Sequence, residues 1–334
     1  MAEQWCGTKA RANRWMSRPE PVWHGAFLQF MSIATHSHAD GAKLSSALQM
    51  EYWKPTAQLE GLISGYHLYS VKPPEGRTHR DVFQPAWFNL RILIDPDTHW
   101  QVQFDKHEAQ RVPSVSLFGP SSTVCWSESY GGAVVGAGIT PAGWARLSRS
   151  SAAGLANRVV AAREVLGTSV DALAQQLRSY AEPQDIPQIF DQWFLKHMDE
   201  PHRDEQLIKQ LLSALLSPNL RSVSQLADEL GLMSRTLERF CLKAFGFPPK
   251  VLIRRTRFLR SLHALIRGGP GRRALAIDAG YTDYSHFIRE AHQFLGMKPT
   301  QFLEECGPMF LRSLDLRQAV LGAPAQALAE GTKT

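Results

Sequence analysis

Arg235, Glu238 and Arg239 fall within five consecutive residues, and Tyr284, Ser285, His286 and Arg289 within six, about fifty positions later. These side-chain types recognise nucleobase edges. The arginine fork matches O6 and N7 of guanine, and a carboxylate can accept from the cytosine amine or orient a neighbouring arginine. Hydroxyls and cations beside them, Ser234, Lys250, Arg254, Thr282 and Thr300, suit phosphate oxygens. Any one of the arginines could instead hold a phosphate. No other grouping points to chemistry. Residues 55–217 offer no Ser/His/Asp, Cys/His or paired-carboxylate constellation. Cys6, Cys125, Cys241 and Cys306 lack metal or redox spacing. His36 and His38 stand two apart with nothing nearby to complete a metal site. The expected chemistry is binding, without catalysis, metal or cofactor.

Reading bases requires helices that fit a groove, and the sequence supplies two copies of one unit. Leu226, Ala227 and Gly231 recur 49 residues later as Leu275, Ala276 and Gly280. Leu237, Arg239, Gly246 and Pro249 recur at an offset of 50 as Phe287, Arg289, Gly296 and Pro299, so the second turn holds one extra residue. Each copy reads as helix, turn, helix. Leu226 and Leu230 make a buried i,i+4 stripe, and Gly231 and Gly280 are expected in left-handed caps. The second helices are predicted to start near Ser234 and at Asp283, both good N-caps, and to end at Gly246 and Gly296. With Leu237 and Phe287 turned inward, Arg235, Glu238 and Arg239 face outward in the first unit and Tyr284, Ser285, His286 and Arg289 in the second. Ser222 and Gln225 form a capping box for the first helix, and Pro249 opens a long helix through Ile266 carrying Arg254, Arg255, Arg257 and Arg260. About 18 residues at 1.5 Å give roughly 27 Å, close to the roughly 34 Å turn of B-DNA.

This tandem pattern resembles the DNA-binding domain of the AraC/XylS family of bacterial transcription regulators. The resemblance is carried by Leu226-Ala227, Gly231, Arg235, Leu237, Arg239, Gly246, Pro249, Arg257, Ala276, Gly280-Tyr281, Asp283, His286-Phe287, Arg289, Gly296 and Pro299, over residues 220–305. Met233 replaces the family's capping serine, so the first recognition helix is expected to start late. Cys241 and Ala291 stand where phenylalanine is favoured. The resemblance implies double-stranded operator DNA as partner, contact with RNA polymerase, and base contacts at the seven outward positions named above.

Charge agrees with a DNA partner. Residues 218–312 hold 15 Lys/Arg against 8 Asp/Glu, whereas the rest of the chain holds 22 against 23, so the whole net charge of +6 comes from the repeat region. A localised positive field is what counterion release from DNA requires. With no run of 18 apolar residues, no membrane span is expected, and the N-terminus lacks an apolar signal core, so a cytoplasmic location is expected.

The N-terminal half reads as short strands. Phe88, Leu90, Ile92 and Ile94 alternate with Trp87, Asn89, Arg91 and Leu93, and similar alternation recurs at 100–104, 115–117 and 133–139. The fold class expected is a multidomain α+β chain: a small β-barrel, cupin-like by resemblance, a helical linker region, and a C-terminal all-α domain of two helix-turn-helix units joined by a long helix. The expected domains are an arm at 1–54, a barrel at 55–142, a helical linker and dimerisation region at 143–217, the tandem unit at 218–312 and a loose Ala-rich tail at 313–334. A barrel of this size can hold one small effector. Trp87, Asn89, Arg91, Trp100 and Trp126 are candidate lining residues, with Arg91 orienting an anionic group; the bland alternative makes the aromatics core and Arg91 surface. Leu207, Ile208, Leu211, Leu212, Leu215 and Leu216 form a helical stripe that packs within the chain or pairs a homodimer. Two other readings stay open: a barrel that binds a protein partner, and an enzyme or ligand carrier tethered to DNA.

Overall fold

Alternating residues that are apolar on both sides of a strand need two covered faces, and the strands of the N-terminal half are built this way. In a computed structural model, residues 48–104, 107–268, 278 and 280–329 are described. Ten strands run in order: β1 (Leu48–Trp53), β2 (Ile63–Val71), β3 (His79–Phe83), β4 (Phe88–Leu93), β5 (Trp100–Phe104), β6 (Gln110–Arg111), β7 (Val115–Phe118), β8 (Cys125–Ser129), β9 (Gly132–Ile139) and β10 (Val159–Ala161). One antiparallel sheet has the order β1-β2-β9-β4-β7-β10, the other β3-β8-β5-β6. Leu93, Phe118 and Val159 of the first sheet meet Trp100, Val102, Phe104 and Cys125 of the second. On its other face, Leu90, Ile92, Leu117, Val135 and Ala137 pack against helices.

The helices are α1 (Pro141–Leu147), α2 (Ala162–Leu166), α3 (Ser169–Arg178), α4 (Ile186–His197), α5 (Glu205–Leu216), α6 (Val223–Glu229), α7 (Ser234–Phe245), α8 (Pro249–Gly268), α9 (Tyr284–Leu295), α10 (Pro299–Glu305) and α11 (Pro308–Leu321). Thr140 caps α1 by accepting from the Gly143 N–H at 3.1 Å. Trp144 then stacks on Phe88 at 3.9 Å, and Arg146 is held by two bonds to Glu205 at 2.7 and 3.0 Å. Ile208, Leu211, Leu212 and Leu215 of the leucine stripe are buried within the chain. One hydrophobic core runs from Leu59 through α3–α5 to Leu237, Phe245 and Leu259, across the expected borders at 142/143 and 217/218. No helix among the described residues is long and apolar enough to cross a membrane.

Several expectations are corrected. The two sheets do not close into a barrel. The opening between edge strands β1 and β3 is filled by α11, whose Met309, Leu316, Val320 and Leu321 join Leu48, Met50, Tyr52 and Phe83. The tail after Arg312 is therefore not loose through Ala329. It continues α11 and then places Gln326 in the core, bonded to Trp87 N, Asn89 Nδ2, Phe88 O and Ile139 O at 3.1–3.2 Å. Residues 48–53 of the expected arm form β1, paired along its whole length with β2. The helical region 143–217 contributes a strand, β10, to the first sheet. Cys6, His36, His38, Leu275 and Ala276 lie outside the described residues.

Candidate nucleic-acid interface

The first unit begins at Ser222, whose Oγ accepts the Gln225 N–H at 3.1 Å, while Gln225 Oε1 reaches back to the Arg221 N–H at 3.0 Å. The capping box forms, displaced by one residue at its return bond. Gly231 takes φ +62°, the left-handed turn after α6. Gly280 does not take a left-handed φ, contrary to expectation. Glycine is required there for space, because a Cβ would fall 2.8 Å from Arg221 Nη1 and 2.9 Å from Arg257 Cδ. Helix α7 starts at Ser234 with Met233 as N-cap and no side-chain cap bond, so Ser234 is the first helical residue, not the cap. Asp283 does cap α9, accepting the His286 N–H at 2.7 Å. That bond, with smaller help from Arg289, holds the Asp283 carboxyl below its usual range.

Both second helices anchor as periodicity predicts. Leu237, Cys241, Ala244 and Phe245 are buried in α7, and Phe287, Ala291, Phe294 and Leu295 in α9. Cys241, in place of an aromatic residue, is buried, which pushes its thiol up to about 12. Phe258 of α8 packs on Phe287 at 5.7 Å and Phe294 at 5.2 Å, beside Ala291. The opposite faces carry the candidate readers. Arg235, Glu238 and Arg239 are exposed on α7, and Tyr284, Ser285 and Arg289 on α9. His286 is half-buried, its ring edge-on to Tyr281 and its Nε2 3.8 Å from Glu290. Among the described residues Arg235, Arg239, Arg289 and Lys250 enter no ion pair. Ser234 and Thr282 are exposed and Thr300 is half-buried.

The arginines of α8 behave differently. Arg254 and Arg257 converge on Glu290 of α9 at 2.8 and 2.7 Å, and the Tyr281 hydroxyl donates to the same carboxylate at 2.5 Å. Glu290 is 1% exposed. Burial lowers the Arg257 pKa, but the Glu290 charge and hydrogen bond outweigh it and leave the guanidinium above its ordinary value. Burial and Glu290 together raise Tyr281. Arg254, expected on phosphate, has its guanidinium engaged by Glu290 and Gln293 inside the domain. Asp278 forms a second hub, bonded to Arg260 at 2.8 Å, Arg221 at 3.1 Å and the Gly280 N–H at 2.8 Å. Arg255 points the other way. It is fully buried, 3.9 Å over the Trp87 ring, and donates to Ser121 O at 2.8 Å. With no carboxylate beside it, burial lowers its pKa to about 9. Sequence reasoning missed both carboxylate hubs. Their only signal was an acid placed beside inward positions of a helix facing several arginines.

The five candidate effector residues separate. Trp87 lies between Arg255 and Phe245, and Asn89 is bonded to Gln326, so both serve packing between the halves. Trp126 lies under Arg80 at 4.8 Å and borders the core of the second unit. Arg91 and Trp100 come together, within 5.8 Å between the sheets. Behind α7, Phe240 and Lys243 line a cleft of about 670 Å³ with Trp144, Arg149 and Asp199.

A family model described as a helix-turn-helix domain matches residues 226–305, the span that holds both reader faces and the joining helix. This is a helix-turn-helix domain of the AraC type. No curated protein matches the chain. Among solved structures, an apo form of ToxT from Vibrio cholerae carrying a single substitution is similar at 12% identity over 72% of this chain and 96% of that one, with a TM-score of 0.41. ToxT bound to an unsaturated fatty acid is similar at 11% identity over 77% and 95%, TM-score 0.40. The AraC-like transcriptional activator CuxR is similar at 12% identity over 74% and 93%, TM-score 0.25. The AraC-type domain thus occupies the C-terminal part of a chain whose N-terminal half is β-rich.

Proposed function

We propose that the chain is a sequence-specific DNA-binding regulator of transcription, with residues 218–312 as the DNA-binding part and the N-terminal half as a sensor of a small molecule. One observation carries the reading. Arg254, Arg257 and Arg260 of α8 are matched by Glu290 and Asp278, while Arg235, Arg239 and Arg289 stand without ion pairs on the outer faces of the two second helices. A repeat region that neutralises these three arginines of its joining helix and leaves the outward ones unmatched offers the outward ones to an external polyanion. The 20-residue α8 spans about 30 Å, suited to holding α7 and α9 in successive major grooves on one face of DNA. Arg235, Arg239 and Arg289 bind guanine, Glu238 and Tyr284 border them, and Lys250 with the starts of α7 and α9 holds phosphates.

The test is site selection followed by titration at several salt concentrations for wild type, Arg239→Ala and Arg289→Ala. Each substitution should cost about 1–3 kcal/mol at one base position, and the two positions should lie about one helical turn apart. Sequence-indifferent binding, with both variants reducing only the salt slope, would reduce the arginines to phosphate contacts and leave a DNA tether.

A further inference from the structure

Four large apolar side chains stand strongly exposed among the described residues: Tyr130, Leu195, Met233 and Tyr284. Tyr130 lies in the turn between β8 and β9, and Leu195 on α4. The other two fall at the starts of α7 and α9, the helices whose outer faces carry the unmatched arginines. Tyr284 spends part of its ring on Phe287, 6.1 Å away. Met233 is 78% exposed and joins no hydrophobic cluster among the described residues, although Leu230, Leu232 and Phe240 near it in sequence all do.

Position 233 is the N-cap of α7, where a serine, threonine or aspartate would accept from a free helix amide. The second unit uses the place in that way. Its counterpart fifty residues on is Asp283, which accepts the His286 N–H at 2.7 Å. The first unit gives up the side-chain cap bond and leaves a methionine in water, and neither choice helps α7 to form. The backbone that carries Met233 is fixed on both sides. The Leu232 N–H donates to Ala227 O at 2.9 Å, and Met233 O accepts the Leu237 N–H at 3.0 Å. A flexible, polarisable side chain thus projects from a fixed point, two residues ahead of Arg235.

A thioether offers phosphate oxygens no donor. A protein partner would call for a contiguous apolar patch, whereas the exposed residues next to Met233 in the chain are Gly231, Ser234 and Arg235. In the major groove the base edges are donors and acceptors, with one apolar feature, the C5 methyl of thymine. We propose that Met233 reads a thymine in the first half-site by van der Waals contact with its C5 methyl. This rests on the DNA-binding reading above and adds to it a base that Arg235, Glu238 and Arg239 do not read. One helix then selects guanine through a hydrogen-bonding fork and thymine through apolar contact.

The experiment is titration of the full chain on its selected site at one fixed salt concentration. Each thymine of the half-site relaxed by Arg239→Ala is replaced in turn by deoxyuridine, which lacks only the C5 methyl. Wild type should lose about fourfold in affinity at one thymine, the worth of one buried methyl, and cytosine placed there should gain when methylated at C5. Met233→Ser, which supplies a capping hydroxyl, should bind the thymine and uracil sites equally, and Met233→Leu should keep most of the preference. Uracil in the other half-site should act alike on wild type and Met233→Ser. A first half-site without thymine, indifference of wild type to uracil at every thymine in it, or an undiminished uracil penalty in Met233→Ser overturns the proposal. In each of these cases guanine readout through Arg239 still stands. Sequence-indifferent binding, with no half-site for Arg239→Ala to relax, overturns the regulator reading and this proposal with it.

Discussion

Replacing Glu290 by alanine should open the second helix-turn-helix unit while leaving the first intact. Glu290 sits at 1% exposure and accepts from Arg254, Arg257 and Tyr281. Its removal strands two guanidiniums and a hydroxyl around a cavity. Breaking a buried ion pair by deleting one partner costs about 3–5 kcal/mol, and full burial of the carboxylate means little solvent screening reduces that figure. A loss of about 4 kcal/mol corresponds to roughly a thousand-fold rise in local opening. Amide hydrogen exchange reads this directly. In Glu290→Ala the amides of α9 should exchange about a thousand-fold faster, whereas those of α7, whose Leu237 and Phe245 belong to the core shared with the N-terminal half, should keep their wild-type protection. Glu290→Gln preserves the shape and one acceptor and should cost less, about 2 kcal/mol. Protection of α9 within about fivefold of wild type, equivalent to about 1 kcal/mol, would refute the claim that this carboxylate holds the second unit on α8.

Three further outcomes follow from contacts already described. Gln326→Ala leaves the Trp87 N–H and the Phe88 and Ile139 carbonyls without their side-chain partner and should destabilise the chain by about 3 kcal/mol in urea titration. His263, bonded to Gln84 at 2.8 Å, has its pKa lowered to about 4 by burial and then by Arg267. Its unfolded form takes up a proton first, so its contribution is complete above about pH 6.5 and is lost as pH falls toward 4, by about 3 kcal/mol; His263→Asn should flatten the urea midpoint over that window. Burial raises Asp278, but the Gly280 N–H, Arg260 and Arg221 outweigh it and hold the carboxyl below its usual range. Its stabilisation is present above the unfolded carboxylate pKa and is lost as pH falls through the folded one, below roughly pH 4, and Asp278→Asn should remove that acid-limb slope.

What could be read in the sequence was what local periodicity determines. Leu237 and Phe287 anchor their helices where a 3.6-residue repeat puts them, Asp283 caps where an Asx residue precedes an apolar stripe, and the outward arginines follow from the same geometry. Periodicity also gave α8 a basic face, but it does not say what a face meets. Arg254 and Arg257 found their partner 36 and 33 residues away, and Arg255 found its ring and carbonyl in the N-terminal half. Gly280 resembled a cap because its sequence neighbours did, yet it answers to two long-range arginines. The transverse row of Tyr52, His67, Gly136, Arg91 and Ser116 across β1, β2, β9, β4 and β7 exists only once strand register is known, since its members are scattered from position 52 to position 136. Helix α11 was missed because its apolar residues face two different cores, Phe310, Leu311 and Leu314 the second unit and Met309, Leu316 and Val320 the sheet edge, and so show no single narrow stripe.

The return of α11 and Gln326 to the β-rich half changes the mechanics of the molecule. A DNA-binding module on one flexible linker samples orientations freely, and its grip on DNA is set by linker length. Here the repeats are fastened at both ends, through Leu220 and α5 at the start and through α11 at the end, where the Phe310 N–H bonds Asp81 at 3.2 Å. A segment pinned at two points resists swinging about either one. Any rearrangement of the reading helices relative to the sheets must shear both attachments together or release one entirely. Such a construction favours a few discrete arrangements over a continuum, and a mutation that frees either end should, on the proposed two-groove reading, blur the spacing between half-sites before it weakens contact with either.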